Sequence, residues 1–424
     1  MPTIVKMLRA IKVRLYPNKE QELKLNKVLG CYRFVYNQTL ARKQQMYNEE
    51  KLNLGIKELS NYFHNSLLKD ENYTWLKEIN TKVLKQAIRQ MLVAYKNFFE
   101  LHRGYPKFKS KKDYQSALFP LEAISKKNTF DTKHITLTSD LKLIKFRCSN
   151  LQFNRLQSYK DKIRNATLLK TKTNKFFLSI LVDIDEEEYQ HFKHTNQRVG
   201  IDLGVKDFVI TSDAEVFENK HFYKQEEHTL RKLHKQLSKK QKGSRNREKT
   251  RIKLAKVYER ISNRKENYIH YIVNSLLFMY DTIFIENLNV QGMLRNHKLS
   301  KAIQELGFYT FRNILECKAQ VNGKRVIPID RWYASSKICN ICGYKYNNLT
   351  LRERHWVCPQ CGEHHDRDIN AAMNILLEGE RIIGVRSTKY TLVENPTMDD
   401  KVEIPLKSSG SLKQEVKYKK SRFS

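Results

Sequence analysis

The chain has 424 residues, 40% of them hydrophobic, and its 79 Lys and Arg stand against 45 Asp and Glu for a formal net charge of +34. That length accommodates two or three domains with separate cores, and so large a cationic excess implies a polyanionic partner, because phosphates release counterions to many spread-out cations. A membrane span is excluded, since the longest apolar run, Tyr271–Leu288, is broken by Asn274, Asp281 and Glu286, and Lys6 and Arg9 stand too close together to frame a signal peptide.

Residues 9–16 alternate apolar and polar side chains and read as a strand. Pro17-Asn18 stops it and starts a helix to about Tyr47, with Leu25, Leu29, Tyr32, Tyr36 and Leu40 as its apolar stripe. A short helix near 56–66 and a long one over 74–102, with Leu76, Val83, Ala87, Met91, Ala94 and Phe98 on one face, complete a helical unit inserted after the strand. The loop at 103–112 interleaves cations with aromatics, which suits it to gripping nucleic acid through Tyr105, Lys107, Phe108, Lys109 and Lys111. Alternation then returns at His134–Thr138, Leu141–Phe146, Ala166–Lys170 and Phe176–Val182. With residues 9–16 these strands are expected to close a small β-barrel, followed by an acidic linker at Asp183–Glu188.

A third region opens on an apolar strand, Arg198–Val205, that carries Asp202, and on a second strand, Phe208–Thr211. Residues 224–267 form a basic helical hairpin, with Leu230, Leu233 and Leu237 on one arm, a bend at Gly243-Ser244, and Leu254, Val257 and Ile261 on the return. Few acids are placed to neutralise its cations, so it reads as a rail for phosphates. An apolar helix (Tyr268–Tyr280), a strand (Thr282–Glu286), a helix (Phe308–Gln320) and a strand (Arg325–Ile329) follow. Beyond Leu377 the composition loses periodicity and reads as a disordered tail.

Between these elements and the tail, Cys339-Asn340-Ile341-Cys342 and Cys358-Pro359-Gln360-Cys361 are separated by fifteen residues. Two CxxC turns at such spacing make a four-thiolate zinc ribbon, each turn giving two sulfurs to one tetrahedral ion. His364 and His365 are alternative ligands on paper, but four thiolates complete the tetrahedron, which leaves the histidines to solvent or phosphate. Cys31, Cys148 and Cys317 read as small buried hydrophobes, and the cysteine usage fits a reducing compartment.

Three acids occupy special places: Asp202 inside an apolar strand, Glu286 at the end of another, and Asp368 at the start of a helix. Charged groups are rarely buried without a partner or a metal. Together the three can hold two Mg²⁺ ions roughly 3.5–4 Å apart for phosphodiester hydrolysis. Each acid alone has an ordinary explanation, such as a Gly-flanked phosphate turn of an ATPase around Asp202 or a helix-dipole charge at Asp368. Asp366 competes with Asp368 as the third acid. Asp368 is preferred because Ala371, Ala372 and Ile375 share its helical face and must pack on the sheet.

Gly200-Ile201-Asp202-Leu203-Gly204, Ile285-Glu286-Asn287-Leu288, Ser335-Ser336-Lys337-Ile338-Cys339 and Asp366-Arg367-Asp368-Ile369-Asn370-Ala371-Ala372 occur in this order. Over roughly residues 9–378 the chain resembles TnpB, the transposon-encoded RNA-guided nuclease family related to miniature type V CRISPR effectors. The resemblance implies an α/β plus α+β multidomain fold. Its nuclease domain is ribonuclease-H-like (RuvC), at 198–334 and 366–378, with the zinc ribbon inserted at 335–365. A wedge-like β-barrel is expected at 1–16 and 113–185, with a helical recognition lobe inserted at 17–112 and a disordered tail at 379–424. It also implies Asp202, Glu286 and Asp368 as catalytic metal ligands for two Mg²⁺ or Mn²⁺ ions, beside one structural Zn²⁺ on Cys339, Cys342, Cys358 and Cys361. The implied partners are a guide RNA from the transposon end and double-stranded target DNA with a short flanking motif. A monomer with one RNA, in the cytoplasm or on the nucleoid of a prokaryote, is the matching expectation. The alternative is a nuclease-fold regulator that grips RNA and DNA without cutting.

Overall fold

The computed structural model describes residues 6–112, 114–124, 134–185, 192–295, 300–350 and 352–384. The first strand, β1 (Lys6–Tyr16), ends at Pro17, which has no N–H to donate. Asn18 then starts α1 (Lys19–Glu50) with a capping box: its side chain accepts from Gln21 N at 2.8 Å, while its own N–H donates to the Gln21 side chain at 3.0 Å. All five expected stripe residues of α1 are buried. After α2 (Ile56–Tyr62) a tight 3₁₀ stretch, Glu71–Glu78, buries Leu76. The long helix α3 (Thr81–Leu101) therefore begins later than position 74, where Asn80 accepts from Lys82 N and caps it.

The strands β2 (Gln115–Pro120), β3 (His134–Ile135) and β4 (Ile144–Arg147) lead to a helix absent from the sequence reading, α4 (Asn150–Ser158). Its Ser149–Gln152 capping box marks the start. With β5 (Ile163–Lys170) and β6 (Phe176–Asp185) they form an antiparallel sheet in the order β2-β5-β6-β1-β4-β3. Among the described residues the sheet is open, and its end strands β2 and β3 do not pair, so the expected barrel closure is not seen. The physical reason is visible in the core: Leu25, Val35, Val83 and Met91 of the helices share one apolar cluster with Val13, Leu168 and Ile180 of the strands. The sheet buries its face against α1 and α3 instead of against itself.

The second region begins with the meander β7 (Arg198–Asp202), β8 (Asp207–Thr211) and β9 (Val216–Glu218). A helical hairpin follows, α5 (Phe222–Ser238) and α6 (Arg245–Met279). Its arms zip through Leu230, Leu254, Val257 and Ile261, while Lys232, Lys235, Lys249, Lys253 and Lys256 remain exposed. The return arm and the apolar stretch at 268–280 are one helix, since Ile269, Ile272, Val273 and Leu276 continue the buried stripe without a breaker. Next come β10 (Thr282–Ile285), α7 (Val290–Leu294), α8 (Ser300–Leu306), α9 (Phe308–Val321) and β11 (Arg325–Pro328). The sheet order is β11-β10-β7-β8-β9, with β7 to β9 antiparallel and β10 and β11 parallel to β7.

The chain closes with a small hairpin, β12 (His355–Val357) and β13 (His364–Asp366), and with α10 (Arg367–Ile382), which runs past the position where the tail was expected to begin. The expected acidic residues Glu186–Glu188 and the tail from 385 lie outside the described residues. No helix among the described residues is long and apolar enough to cross a membrane.

Candidate active site and thiol cluster

Parallel pairing of β10 with β7 sets Ile285 against Ile201. Asp202 and Glu286, the next residue on each chain, thus lie side by side at the carboxyl ends of the two central strands. Helix α10 crosses that face antiparallel to β7. Arg198 meets Glu380 at 3.5 Å, and a Cβ at Gly200 would overlap the carbonyl oxygen of Ala372 and the amide nitrogen of Leu376. At Gly379 a Cβ would overlap the Phe284 ring. Gly200 therefore lets sheet and helix touch backbone to backbone, Gly379 makes room for the Phe284 ring, and this approach brings the first turn of α10 to the strand ends. The glycine of the Gly200-Ile201-Asp202 run is there for packing.

Two of the acids act on the third. Burial, and then the charges of Glu286 and Asp368, push the Asp202 carboxyl well above its ordinary value, with Arg367 pulling weakly the other way. Burial also raises Glu286, against a hydrogen bond at 2.7 Å from the Ser335 hydroxyl. Asp368 is held differently: Arg354, from the ribbon, donates to both of its oxygens at 2.8 and 3.1 Å. Asp366, the rival third acid, is occupied as the N-cap of α10, accepting from Asp368 N and Ile369 N at 3.0 Å. Among the described residues the acids are not gathered as tightly as the thiols, whose ligand atoms all lie within 4.8 Å of one another.

Those thiols are Cys339, Cys342, Cys358 and Cys361. The Cys339–Cys361 and Cys342–Cys358 sulfur separations are both 3.6 Å, close to the roughly 3.8 Å edge of a tetrahedron with Zn–S bonds of about 2.3 Å. Burial and the surrounding thiols push Cys342 up to about 12, while burial works against backbone and thiol hydrogen bonds that bring Cys358 down, and the four sulfurs together suit a soft cation. His365 does not face solvent: it is buried, its ring tilted against Trp356 at 4.6 Å, with Nε2 3.1 Å from the Cys339 sulfur, while His364 is exposed. It is placed to hydrogen-bond that sulfur from outside the group of four.

Two asparagines one turn apart on α10 join the clusters. Asn370 donates to Ile338 O at 2.8 Å and accepts from Asn340 N at 3.0 Å, and Asn374 donates to Ser335 O at 2.8 Å. Ser335 then donates to Glu286. The ribbon, the Asp368 helix and Glu286 are thereby one hydrogen-bonded unit. Sequence reasoning missed Ser335, Asn370, Asn374 and Arg354. Polar Asn370 and Asn374 on the apolar face of α10 were the available signal, and nothing marked Arg354.

The loop at 103–112 is divided. Tyr105, Lys107, Phe108 and Lys111 are exposed, the Tyr105 hydroxyl meeting Tyr95 at 3.0 Å and its ring lying edge-on to Phe98. Lys109 is turned inward over the Tyr36 ring at 4.0 Å, its main chain clasped by Asn37, and burial lowers its pKa.

The family model OrfB_IS605, described as "Probable transposase", matches residues 179–297, and "Cas12f1-like, TNB domain" matches residues 308–375. A protein of Streptomyces pristinaespiralis named "Putative RNA-guided DNA endonuclease" is 33% identical over 373 residues, 88% of this chain and 89% of that one. The "TnpB-like protein L79" of Acanthamoeba polyphaga mimivirus is 24% identical over 87% of this chain and 72% of its own length. The chain belongs to the TnpB family. Another relative, the "Putative RNA-guided DNA endonuclease InsQ" of Escherichia coli K12, is 24% identical over 89% of this chain and 94% of its own. The solved chain in "Cryo-EM structure of the Cas12f1-sgRNA-target DNA complex" matches 88% of this chain and 98% of itself with a TM-score of 0.54 at 15% identity, a likeness of fold. A "Helix-turn-helix domain" model of the same transposase family matches residues 7–51. In this chain that stretch is a strand and one unbroken helix.

Proposed function

We propose that this TnpB-family chain is an RNA-guided DNA endonuclease of a transposon, hydrolysing phosphodiester bonds at Asp202, Glu286 and Asp368. The reading rests on one observation: two acids leave adjacent parallel strands side by side, and a third, on the helix packed across them, acts electrostatically on the first. Hard carboxylate oxygens, two of which raise the pKa of the third, suit divalent cations such as Mg²⁺ or Mn²⁺. Bound there, a pair of such ions would supply an activated water and neutralise the charge on the leaving oxygen. The chain's own part is to aim the acids. Ser335 fixes one Glu286 oxygen, the Gly200 contact sets the depth of α10, and Arg354 occupies Asp368 when nothing more positive does. Hydrolysis adds water across a P–O bond, leaving a phosphate monoester and a hydroxyl. Cys339, Cys342, Cys358 and Cys361 would hold one structural Zn²⁺.

In the same reading, residues 198–334 and 366–378 are the ribonuclease-H-like nuclease domain, 335–365 the ribbon, 17–112 a recognition lobe and 1–16 with 113–185 a wedge. The guide RNA and the duplex DNA with its flanking motif meet the exposed cations of the α5–α6 hairpin and Lys107, Phe108 and Lys111. The complex is a monomer with one RNA, acting at the nucleoid.

A second reading, a regulator that binds without cutting, draws on the Arg354–Asp368 pairing, which leaves the acid trio looser than the thiol cluster. The experiment is to purify the chain with its co-expressed RNA, sequence that RNA and offer complementary duplex DNA at millimolar Mg²⁺. Cleavage that is lost in Asp202→Ala with binding retained supports the nuclease; uncut DNA bound by the wild type supports the regulator.

A further inference from the structure

Beside Glu286 the surface opens into a cleft of about 330 Å³, near the lower end of the roughly 300–1,000 Å³ of small-ligand sites. That is room for one nucleotide rather than a duplex. One wall is Leu203 and Glu286, from the ends of β7 and β10; the other is the first turns of α9, with Tyr309, Arg312 and Asn313, and Arg331 lies at the rim after β11.

The chemistry of these walls is specific. Asn287, the residue after Glu286, holds both guanidiniums: its side-chain oxygen accepts from Arg312 Nη1 at 3.1 Å and its carbonyl accepts from Arg331 Nε at 3.3 Å. Glu316 fixes Arg312 further through Nε at 2.7 Å. Each guanidinium keeps N–H groups beyond those bonds, since a guanidinium carries five. Tyr309 stands 64% exposed on a helix whose neighbours Phe308 and Phe311 are fully buried, an aromatic face left at the mouth of a cationic cleft. Arginine forks that suit phosphate and an open ring that suits a base here flank a catalytic acid.

We infer that this cleft is a subsite for one nucleotide of the DNA strand being cut, adjacent to the scissile phosphodiester. Arg312 and Arg331 take its phosphate, and Tyr309 stacks on its base. Asn287 is a positioning residue that sets both guanidiniums from the position following Glu286. Stacking is indifferent to base identity, so the subsite orders the strand without reading sequence. The inference rests on the nuclease reading for its substrate, although a strand bound there does not require cleavage.

The test uses the full chain with its co-purified RNA and DNA complementary to that RNA, carrying 5-bromodeoxyuridine at successive positions. In an Asp202→Ala background, irradiation is expected to cross-link one position of one strand to Tyr309, read by mass spectrometry. In the cleaving protein, Tyr309→Ala is expected to raise KM roughly tenfold, the worth of one stacked base, with Tyr309→Phe near wild type. Arg331→Gln and Asn287→Ala, the latter through Arg312 alone because alanine keeps the carbonyl that holds Arg331, are expected at unchanged Tm to make the slope of log affinity against log salt shallower, by about 0.7 per lost single-strand phosphate contact. Cross-links confined to other segments, with unchanged KM and salt slope, would overturn the subsite. A Tyr309 cross-link in a complex that never cuts supports the subsite while defeating the nuclease.

Discussion

The thiol cluster and the acid trio of this chain sit on either end of the same hydrogen-bonded unit and are built on opposite plans. The four sulfurs come from two tight turns and already lie within 4.8 Å of one another, at the spacing of a tetrahedron. The three carboxylates come from two strands and a helix, and one of them is engaged by Arg354 at 2.8 Å. A structural site is closed and finished by its local turns; a catalytic site has to stay open, because substrate completes it. The thiols stabilise the position of α10, and α10 delivers an acid that remains free to change partners.

That contrast can be broken at either end. The largest effect is expected from Asp202→Asn, which should lower DNA cleavage by the RNA-loaded protein about a thousandfold or more, since several kcal/mol of charge stabilisation goes with the central ligand. A gel assay at saturating Mg²⁺ that found near-normal turnover would separate the acids from the chemistry. Next is Cys358→Ser, expected to abolish zinc content measured by atomic emission and to slow cleavage about 10- to 100-fold through the displaced Asn370–Ile338 and Ser335–Glu286 bonds, with RNA affinity preserved. Equal loss of RNA binding would mean that the ribbon supports the whole molecule and not the site.

Gly200→Ala probes the joint between the clusters without touching a ligand. Its methyl group has backbone on the far side and nowhere to go, so chemical denaturation should show a loss of about 1–3 kcal/mol, accompanied by slower cleavage. Arg354→Gln should raise Mn²⁺ affinity of the RNA-loaded, DNA-free complex roughly two- to fivefold, the scale of a half-exposed ion pair, read by paramagnetic titration. Unchanged affinity would make that arginine a bystander.

The smallest effect is on stability against pH. Asp202 and Glu286 have folded-state pKa values above their unfolded ones, so the folded protein binds protons more tightly. The contribution of these two groups to stability without divalent cations is therefore greatest in acid and is lost as pH rises through the raised values. Asp202→Asn removes that loss, so its Tm in chelator should exceed the wild type at neutral pH, and the gap should close below the ordinary Asp value of 3.8. A gap that is constant with pH would mean the repulsion is absent.

The α1 stripe was legible because a long amphipathic helix repeats one signal many times, and Asn18–Gln21 announces its start. The thiol cluster was legible because its geometry is local: two CxxC turns fix where four sulfurs go. The three acids were legible as candidates by their odd positions, an acid within an apolar strand being costly without a partner. The same local reading failed where the decision was tertiary. It extended α3 back across Asn80, cut α6 in two, missed the short β9 and α4, and closed a barrel where α1 and α3 cover the sheet instead.

What the sequence by itself determined is the set of candidate ligands and the order in which the chain presents them, because residue chemistry and short-range spacing are properties of the chain alone. What only the tertiary structure decided is how they meet. The parallel register of β7 and β10 aligns Asp202 with Glu286, and the backbone contact at Gly200 lets α10 reach them. Arg354 comes to Asp368 from across the ribbon, and Asn287 gathers Arg312 and Arg331. Those juxtapositions join residues far apart in sequence through packing and hydrogen bonds that no periodicity encodes.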